Sequence, residues 1–236
     1  MSSAVAIIPA RGGSKRIPRK NVREFHGKPI IAYSIEAAME SRCFDRIIVS
    51  TDDEEIATVA RHFGAEIPFF RPASLSGDYT GTADVVKHAL RELSSKGQAF
   101  EFACCIYSTA PFLSVAALKD GLSKLKVSGR SFAFSVTSFE FPIQRALRIM
   151  SDGSVDAFWP KSRMVRSQDL EPAYHDAGQF YWGVTSAFLN EHILYSAHSV
   201  PVILPRHLVH DIDTPEDWAR AELAFSVLQR SKRSVD

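Results

Sequence analysis

Cysteines and long apolar runs are both scarce in this sequence. It has three cysteines, Cys43, Cys104 and Cys105, too few for a disulfide framework, and the adjacent pair lies in an apolar run. We expect buried free thiols there rather than a metal or redox centre. No segment approaches the roughly 20 consecutive apolar residues of a membrane-spanning helix. The apolar run at residues 4–9 is also too short for a signal peptide, so we expect a cytoplasmic protein without a membrane partner.

Net charge is nearly absent as well. Lys and Arg number 28 and Asp and Glu number 27, which gives a formal charge of +1. This balance provides no overall attraction to nucleic acid or to anionic membranes, so any basic cluster must serve a local purpose. The hydrophobic fraction of 45% and the length of 236 residues fit one globular domain, which we predict over residues 1–236.

What the sequence does contain is an alternation of strand-like and helix-like segments. Short apolar runs typical of buried strands occupy residues 5–8, 46–50, 102–107, 200–204 and 208–213. Apolar side chains recur with helical spacing after Pro29, after Asp53, over 86–93, over 118–125 and after Thr214. This order predicts an α/β fold with a doubly wound, mainly parallel sheet, in which ligands bind beyond the carboxyl ends of the strands.

The pattern changes over residues 132–182, where β-prone residues, prolines and Gly153 replace helical spacing. We interpret residues from about 132 to 170 as an inserted arm or lid. The last residues, 231–236, are expected to form a frayed tail.

The most unusual local feature is a basic loop after the first strand-like run. Residues 11–23 carry six cations and no acid, although the whole chain is almost neutral. Gly12 and Gly13 allow a tight turn that aims backbone N–H groups at an anion, and arginine and lysine add charge-assisted bonds to phosphate. The loop has neither the Gly-Lys-Ser/Thr triplet of a Walker loop nor the G-x-G-x-x-G dinucleotide pattern. A solvated basic loop or a nucleic-acid patch would share this charge, but the position after a first buried strand favours a phosphate site.

Two carboxylates lie near the other end of the chain. Asp211 and Asp213 are two residues apart, so both point to one face if the backbone there is an extended strand. Paired carboxylates suit Mg²⁺, a hard cation that completes its shell with water and substrate phosphate. The alternative for Asp213 is a role in bracing the start of the helix that follows Thr214.

Several motifs together resemble the CMP-sialic acid synthetase family. They are PARGGSK at 9–15, PRKN at 18–21, GKP at 27–29, STD at 50–52, FRP at 70–72 and DIDTPEDW at 211–218. The resemblance spans essentially the whole chain and implies a Rossmann-like nucleotidyltransferase. Such an enzyme joins the CMP part of CTP to an acidic nine-carbon (nonulosonic) sugar and releases pyrophosphate.

The same resemblance assigns roles to individual residues. It implies that Asp211 and Asp213 bind Mg²⁺ and that Arg11 and Lys20 act with them in catalysis. The nucleotide-binding residues that it implies are Ala10, Arg11, Gly13, Ser14, Lys15, Asn21, Arg71, Thr82 and Tyr107.

Two segments depart from the usual pattern of that family and bear on the sugar. Residues 107–111 read Tyr-Ser-Thr-Ala-Pro where sialic acid synthetases usually have Gln-Pro-Thr-Ser-Pro, and residues 175–178 read His-Asp-Ala-Gly where they usually have Arg-Pro-Asn-Gly. Residues 174–182 look like those of family members that use pseudaminic acid, with N-acetylneuraminate and legionaminate as alternatives. The less polar tail of pseudaminic acid would suit aromatic side chains, for which core packing is the alternative: Phe139, Phe141, Phe180, Tyr181 and Trp182.

The resemblance also names sugar-binding residues. They are Thr109, Arg166, His175, Gln179 and Tyr181. Arg166 would face the sugar carboxylate, although Lys161 and Arg163 lie near enough in the sequence to compete for that role. The family pairs subunits through the inserted region, so we expect a homodimer, and its products serve bacterial surface glycans or flagellin.

The implied reaction is an attack of the anomeric hydroxyl on the α-phosphorus of CTP. The sugar carboxylate and the phosphate, ~4 Å apart, repel by roughly 4 kcal/mol at an effective dielectric near 20, or about three powers of ten in rate. Cations must offset that repulsion, which favours positioning and electrostatics over a nucleophilic side chain. Our hypothesis for the base is a metal-bound water held by Asp211 and Asp213. A binding module without turnover is disfavoured by the intact aspartate pair, and a nucleic-acid-binding domain by the near-neutral charge.

Overall fold

The computed structural model describes residues 3–233 and confirms an α/β architecture with a mainly parallel sheet. The strands are β1 (Ala4–Pro9), β2 (Glu24–Phe25), β3 (Lys28–Pro29), β4 (Arg46–Ser50), β5 (Phe102–Ile106), β6 (Phe132–Ser138), β7 (Leu147–Ile149), β8 (Val155–Ala157), β9 (Tyr174–Val184) and β10 (Ser199–Ile203). The α-helices are α1 (Ile30–Ser41), α2 (Glu54–His62), α3 (Thr82–Ser95), α4 (Val115–Ser128), α5 (Thr185–Leu189) and α6 (Pro215–Arg233). Each apolar run before residue 205 that was expected to be a strand is one, and each segment with helical spacing is a helix.

The main sheet contains six strands in the order β10-β6-β9-β5-β1-β4. Strands β4, β1 and β5 are parallel, and β10 is parallel to β6, whereas β9 runs antiparallel between β5 and β6. The carboxyl ends of the five strands of common direction therefore lie at one edge of the sheet. The loops that follow β1, β4 and β5 converge at this edge, where ligands of open α/β sheets bind.

Side-chain alternation along β1 divides the core into two layers. Ala4, Ala6 and Ile8 face the layer formed with α1, α2 and α4, while Val5 and Ile7 face α3 and α5. The strand is buried on both faces because helices cover both sides of the sheet.

The adjacent cysteines occupy the centre of the sheet on β5. Cys104 faces one core layer and Cys105 the other, and burial raises the pKa of both thiols. All three cysteines of the described chain are free, and Cys43 is partly buried. The expectation of buried free thiols is confirmed for the adjacent pair.

The predicted strand at 208–213 is wrong. A short 3₁₀ turn, Arg206–Leu208, is followed by backbone without regular secondary structure up to Asp213. Instead of pairing with another strand, Ile212 is buried in one cluster with Trp218 of α6, and Leu208 is partly buried against the same cluster. Val209 packs against the core layer that contains α1, α2 and α4.

The arm begins later than predicted. Residues 132–138 are the strand β6 of the main sheet, because Phe132 and its neighbours pair with both β9 and β10. The segment outside the sheet is 139–173, which contains the β7–β8 hairpin. The large apolar side chains that it exposes are Phe141, Leu147, Ile149, Met150, Val155, Phe158, Trp159 and Met164.

The chain ends in helix α6, which reaches Arg233. The frayed tail predicted over 231–236 therefore begins within a helix, and residues 234–236 lie outside the described range. No helix between residues 3 and 233 combines the length and apolarity needed to cross a membrane.

Candidate active site

The loop after β1 is fixed by acidic residues at the start of α2. Gly12 donates its backbone N–H to Asp52 Oδ1 at 3.0 Å. Arg19 has a left-handed backbone with φ of 55° and binds Asp53 through both guanidinium nitrogens, at 2.5 and 2.9 Å. Arg19 also pairs with Glu55. One of the six loop cations is thus used to hold the loop, and the Arg19 guanidinium lowers the pKa of Asp53 to about 2.

Most of the remaining loop cations line a cleft of about 280 Å³, which we call the basic cleft. The polar and charged side chains on its floor and walls are Arg11, Ser14, Lys15, Arg16, Lys20, Asn21, Arg71, Asp78, Thr80, Thr82, Tyr107, Ser108, Thr109 and Asp213. Asp78 pairs with Arg11 at 2.7 Å and with Lys15 at 2.5 Å, and these two cations lower its pKa. The Asp78 carboxylate therefore occupies the position between Arg11 and Lys15 that a phosphate group would suit.

At the opposite wall, the loop contacts the segment before α6. Lys20 Nζ donates to the carbonyl oxygen of Ile212 at 2.7 Å and lies 3.2 Å from Asp213 Oδ1. Arg16 pairs with Asp213 Oδ2 at 2.8 Å. Asp213 is therefore in the cleft, and its carboxylate has a cation on each oxygen.

The helix-bracing alternative for Asp213 does not hold, because other residues cap α6. Thr214 Oγ accepts from the backbone N–H of Asp217 at 3.2 Å, and the Asp217 carboxylate accepts from the Thr214 backbone N–H at 2.9 Å. This reciprocal pair is a capping box. The Asp213 side chain is therefore not used by the helix, and it faces the cleft in its ion pairs with Arg16 and Lys20.

Asp211 has an environment that would favour a cation. No hydrogen bond or ion pair to its carboxylate is found among the described residues. The residue as a whole is exposed, but partial desolvation of the carboxylate together with the charge of Asp213 raises its pKa. Two carboxylates that repel each other, one without a partner, form a hard-oxygen donor set that fits Mg²⁺. Within residues 3–233 no group of three or more His, Cys, Asp or Glu side chains could hold a metal, so the pair would rely on substrate and water oxygens for the rest of the shell.

Arg71 is a buried cation on the cleft wall. It is 5% exposed, and its Nε and Nη2 have no hydrogen-bond partner. The nearest acid is Asp52, whose Oδ1 lies 3.6 Å from Nη2, and burial lowers the pKa of the guanidinium. Unpaired buried donors are costly, so a ligand acceptor at this point would satisfy them.

Asn21 links the loop to the end of β5. Its Nδ2 donates to the carbonyl oxygen of Arg11 at 2.9 Å, and its Oδ1 accepts from the Ser108 hydroxyl at 2.8 Å. Asn21 therefore shapes the cleft as well as lining it.

A second, mostly apolar cavity of about 380 Å³ adjoins the basic cleft. Thr82 and Tyr107 line both, so the two spaces meet at these side chains. Its other lining residues include Val86, Phe132, Tyr181, Ala187, Phe188, Leu194 and Tyr195, and the acidic and basic ones among them are Asp84, Lys87, Glu191 and His192. We call this space the apolar cavity.

The structure brings most of the predicted nucleotide residues together and separates several others. Those on the basic cleft are Arg11, Ser14, Lys15, Asn21, Arg71, Thr82 and Tyr107. The predicted catalytic residues Lys20 and Asp213 also line it, and so does Thr109, which was predicted to bind the sugar. Ala10 is buried and donates its N–H to Ser50, and neither it nor Gly13 is on the lining. Asp211 lies beside the cleft through its coupling to Asp213 and Lys20.

The predicted sugar residues are dispersed. Tyr181 lines the apolar cavity. Gln179 is buried and donates to the carbonyl oxygen of Leu208 at 2.5 Å, and His175, at the surface, meets the ring of Phe139 edge to face. Arg166 is on the arm, paired with Asp169 at 2.7 Å, and lines neither space.

The five aromatic residues suggested by the sequence do not form one pocket. Phe180 and Trp182 are fully buried in the core, and Phe141 is exposed on the arm. Trp182 and Phe180 face α4, where Gly121 leaves them room. Core packing, the alternative considered for these aromatics, is correct for Phe180 and Trp182.

Sequence reasoning missed four residues with prominent positions: Arg16, Asp78, Asp176 and Tyr195. Arg16 lies within the basic loop but carried no motif of its own. Asp78 follows Gly77 in a loop without periodicity, so no local signal marks it. Asp176 lies inside the segment that departs from the family pattern, and that departure was the available clue.

Comparison with known proteins agrees with this geometry. The model of the Cytidylyltransferase family matches residues 5–213. A pseudaminic acid cytidylyltransferase from Campylobacter jejuni subsp. jejuni serotype O:23/36 is 47% identical over 96% of this chain and 98% of its own. A CMP-N,N'-diacetyllegionaminic acid synthase from Legionella pneumophila is 34% identical over 96% of this chain and 98% of its own.

Among solved structures, a CMP:2-keto-3-deoxy-manno-octonic acid synthetase complexed with CTP matches with a TM-score of 0.69 and 16% identity. The match covers 95% of this chain and 99% of that one, and at this identity it supports the fold. The family match and the relatives agree over nearly the whole chain. The chain belongs to the cytidylyltransferase family.

Proposed function

We propose that this chain transfers the cytidylyl group of CTP to pseudaminic acid, giving CMP-pseudaminic acid and pyrophosphate. The observation that carries the proposal is the junction of two spaces of opposite chemistry at Thr82 and Tyr107. The basic cleft suits a triphosphate, and the apolar cavity suits the less polar end of a deoxygenated sugar. The 47% identity to a pseudaminic acid cytidylyltransferase favours this sugar over legionaminate.

The basic cleft binds and orients the nucleotide. Arg11 and Lys15 exchange the carboxylate of Asp78 for phosphate oxygens, and Arg71 supplies its two unpaired donors to the nucleotide. These cations also lower the repulsion between the phosphates and the sugar carboxylate. That repulsion is roughly 4 kcal/mol at ~4 Å.

The chemical step needs no covalent enzyme intermediate. The anomeric oxygen of the sugar forms a bond to the α-phosphorus, and the bond from that phosphorus to the bridging oxygen of the β-phosphate breaks. Pyrophosphate leaves with the electron pair, and the hydroxyl proton passes to water in the open cleft. Lys20, held between Ile212 and Asp213, places a positive charge beside the reacting phosphate as negative charge develops there.

Asp211 and Asp213 are the residues that would hold Mg²⁺. Bound Mg²⁺ would neutralise phosphate charge and orient the triphosphate. The protein prepares for this by holding Asp213 on the cleft wall through Arg16 and Lys20, while Asp211 has no partner of its own.

Pyrophosphate release tests the proposed reaction and sugar. The purified chain is incubated with CTP and Mg²⁺ and, separately, with pseudaminic acid, N,N'-diacetyllegionaminic acid and N-acetylneuraminic acid. We expect kcat/KM for pseudaminic acid to exceed the others by at least about tenfold. A preference for another of these acids would overturn the sugar assignment. No release with any of them would overturn the reaction.

We further propose that the arm, residues 139–173, joins two copies of the chain. Its hairpin exposes apolar side chains on both strands, among them Ile149 and Val155. Large apolar side chains that are exposed together on one segment favour a protein–protein interface there. In such a dimer Arg166, which lines neither space of its own chain, exchanges Asp169 for the carboxylate of a sugar bound to the second copy. CTP is a cytoplasmic metabolite, and we assign the reaction to the cytoplasm.

Sedimentation of two matched valine variants tests the interface. Val155→Asp, on the arm, should convert the dimer to a monomer, because it introduces a charge into an apolar interface. Val127→Asp is the control, since Val127 is also exposed, at 85% against 62% for Val155, but lies on α4, outside the arm. A monomeric wild-type chain, or equal dissociation of both variants, would contradict the proposal.

A further inference from the structure

A carboxylate lies behind two tyrosines of the apolar cavity. Asp176 Oδ2 accepts hydrogen bonds from the hydroxyls of Tyr181 and Tyr195, at 2.6 and 2.7 Å, and its Oδ1 accepts from the backbone N–H of Gly178 at 2.8 Å. The carboxylate is partly buried, and it takes part in no ion pair within residues 3–233. Its hydrogen bonds thus come from neutral donors alone.

An irregularity in β9 creates this arrangement. Asp176 and Tyr181 are five residues apart, a spacing that would put them on opposite faces of a regular strand. Gly178 has a φ of +61°, and the register of β9 against β6 shifts between Phe134 and Val136. The shift reverses the alternation, so Asp176 and Tyr181 share the face toward the cavity.

The arrangement gives the wall of the cavity at Tyr181 and Tyr195 a definite hydrogen-bond polarity. A phenol carries one proton, and both Tyr181 and Tyr195 give theirs to Asp176, so toward the cavity their oxygens can only accept. Burial raises the pKa of both phenols, and Asp176 raises it further, so they remain neutral near pH 7. Beside these acceptors lie Phe132 and Phe188, which offer an apolar surface.

We infer that Asp176 is a positioning residue for sugar specificity: it holds Tyr181 and Tyr195 as acceptors for the N–H of an acylamino group, whose methyl packs on the apolar lining. The inference rests on the proposed function and deepens it. A hydroxyl in place of the acylamino group leaves the apolar lining unfilled. The negative charge of Asp176 also disfavours the sugar carboxylate at this wall, and Lys87, a cation on the cavity lining, is already paired with Glu191. Both features direct the acidic end of the sugar toward the basic cleft.

Asp176→Asn is the informative variant because it keeps the shape of the side chain but can donate from its amide. The amide donates to one phenol or both, and a freed phenol proton turns toward the cavity. We expect the KM for pseudaminic acid to rise about tenfold with the KM for CTP unchanged. The preference for pseudaminic acid over a nonulosonic acid with hydroxyls in place of the acylamino groups should fall by a similar factor.

Two tyrosine variants keep the test decisive if Asp176→Asn folds poorly. Tyr195→Phe removes one acceptor at an exposed position and should raise the sugar KM about threefold, again with reduced selectivity. Tyr174→Phe is the control. Tyr174 lies on β9, as Asp176 does, but it lines neither the basic cleft nor the apolar cavity.

The outcomes separate this inference from the proposed function. If the wild-type chain turns over pseudaminic acid and both Asp176→Asn and Tyr195→Phe retain its KM and selectivity, the inference is wrong and the reaction stands. If the wild-type chain fails with pseudaminic acid, the proposed function itself is wrong. Equal losses for all sugars and for CTP would show that Asp176 has only a structural role.

Discussion

Replacing Gly12 with alanine should loosen the basic loop, whereas replacing Gly13 should not. A Cβ on Gly12 would lie 2.6 Å from Asp53 Oδ2 and 3.0 Å from Asp53 Cβ. A Cβ on Gly13 would meet nothing within 4 Å, and Gly13 has no positive φ. The two adjacent glycines therefore form a matched pair of test positions, because only Gly12 is in close contact with another side chain, that of Asp53.

The cost of Gly12→Ala follows from what Asp53 does. Its carboxylate caps α2 by accepting from the Ile56 backbone N–H at 3.0 Å, and loss of such a cap costs about 1 kcal/mol. It also binds Arg19. The lowering of the Asp53 pKa from 3.8 to about 2 corresponds to roughly 2.4 kcal/mol before screening, of which Arg19 contributes the largest part and the Ile56 N–H a smaller part. Arg19 is 40% exposed, so solvent reduces the Arg19 part alone to about 1 kcal/mol. We expect Gly12→Ala to lower the free energy of unfolding by about 2 kcal/mol.

Chemical and thermal denaturation of both variants measure this effect. For a chain of this size about 2 kcal/mol lowers Tm by roughly 4–8 °C, while Gly13→Ala should stay within about 0.5 kcal/mol of wild type. The pKa of Asp53 is lowered in the folded state, so its ion-pair contribution is fully present above pH 3.8 and is lost as the pH falls toward 2. The difference between wild type and Gly12→Ala should therefore shrink over that range. Equal stability of the two variants at neutral pH would refute the reasoning.

Three further predictions concern the cleft and the core. Asp78→Asn should lower the KM for CTP a few fold, because the carboxylate no longer competes with phosphate for its two cations, and an unchanged or raised KM would count against that competition. Asp211→Asn should lower kcat strongly with Mg²⁺ in excess, and near-normal turnover would remove Asp211 from the site. Gly121→Ala should cost about 1–3 kcal/mol in a denaturant titration, because its Cβ would lie 2.7 Å from Trp182, and wild-type stability would show that the core can adjust.

Local pattern was sufficient for much of the fold. Apolar runs on β1, β4 and β5 and helical spacing on α2 and α3 are properties of neighbouring residues, and burial on one or both faces follows from them. The segment 208–213 shows the limit. Its apolar residues are equally compatible with a strand and with a loop buried under α6, and only the position of that helix decides between them.

The candidate site divides in the same way. The sequence by itself identified the basic loop, because a run of six cations without an acid stands out in a chain whose net charge is only +1. It could not show that Arg19 serves Asp53 rather than a ligand, since the two residues are 34 positions apart and meet only when β1 and β4 pair. Nor could it show that Asp176 reaches Tyr181, because strand alternation forbids that contact until the shift at Gly178 reverses it. The sequence by itself thus determined where the charges lie along the chain and which segments have helical or strand periodicity. The tertiary structure decided the partner of each charged group, because hydrogen bonds and ion pairs depend on distances that only the folded chain sets.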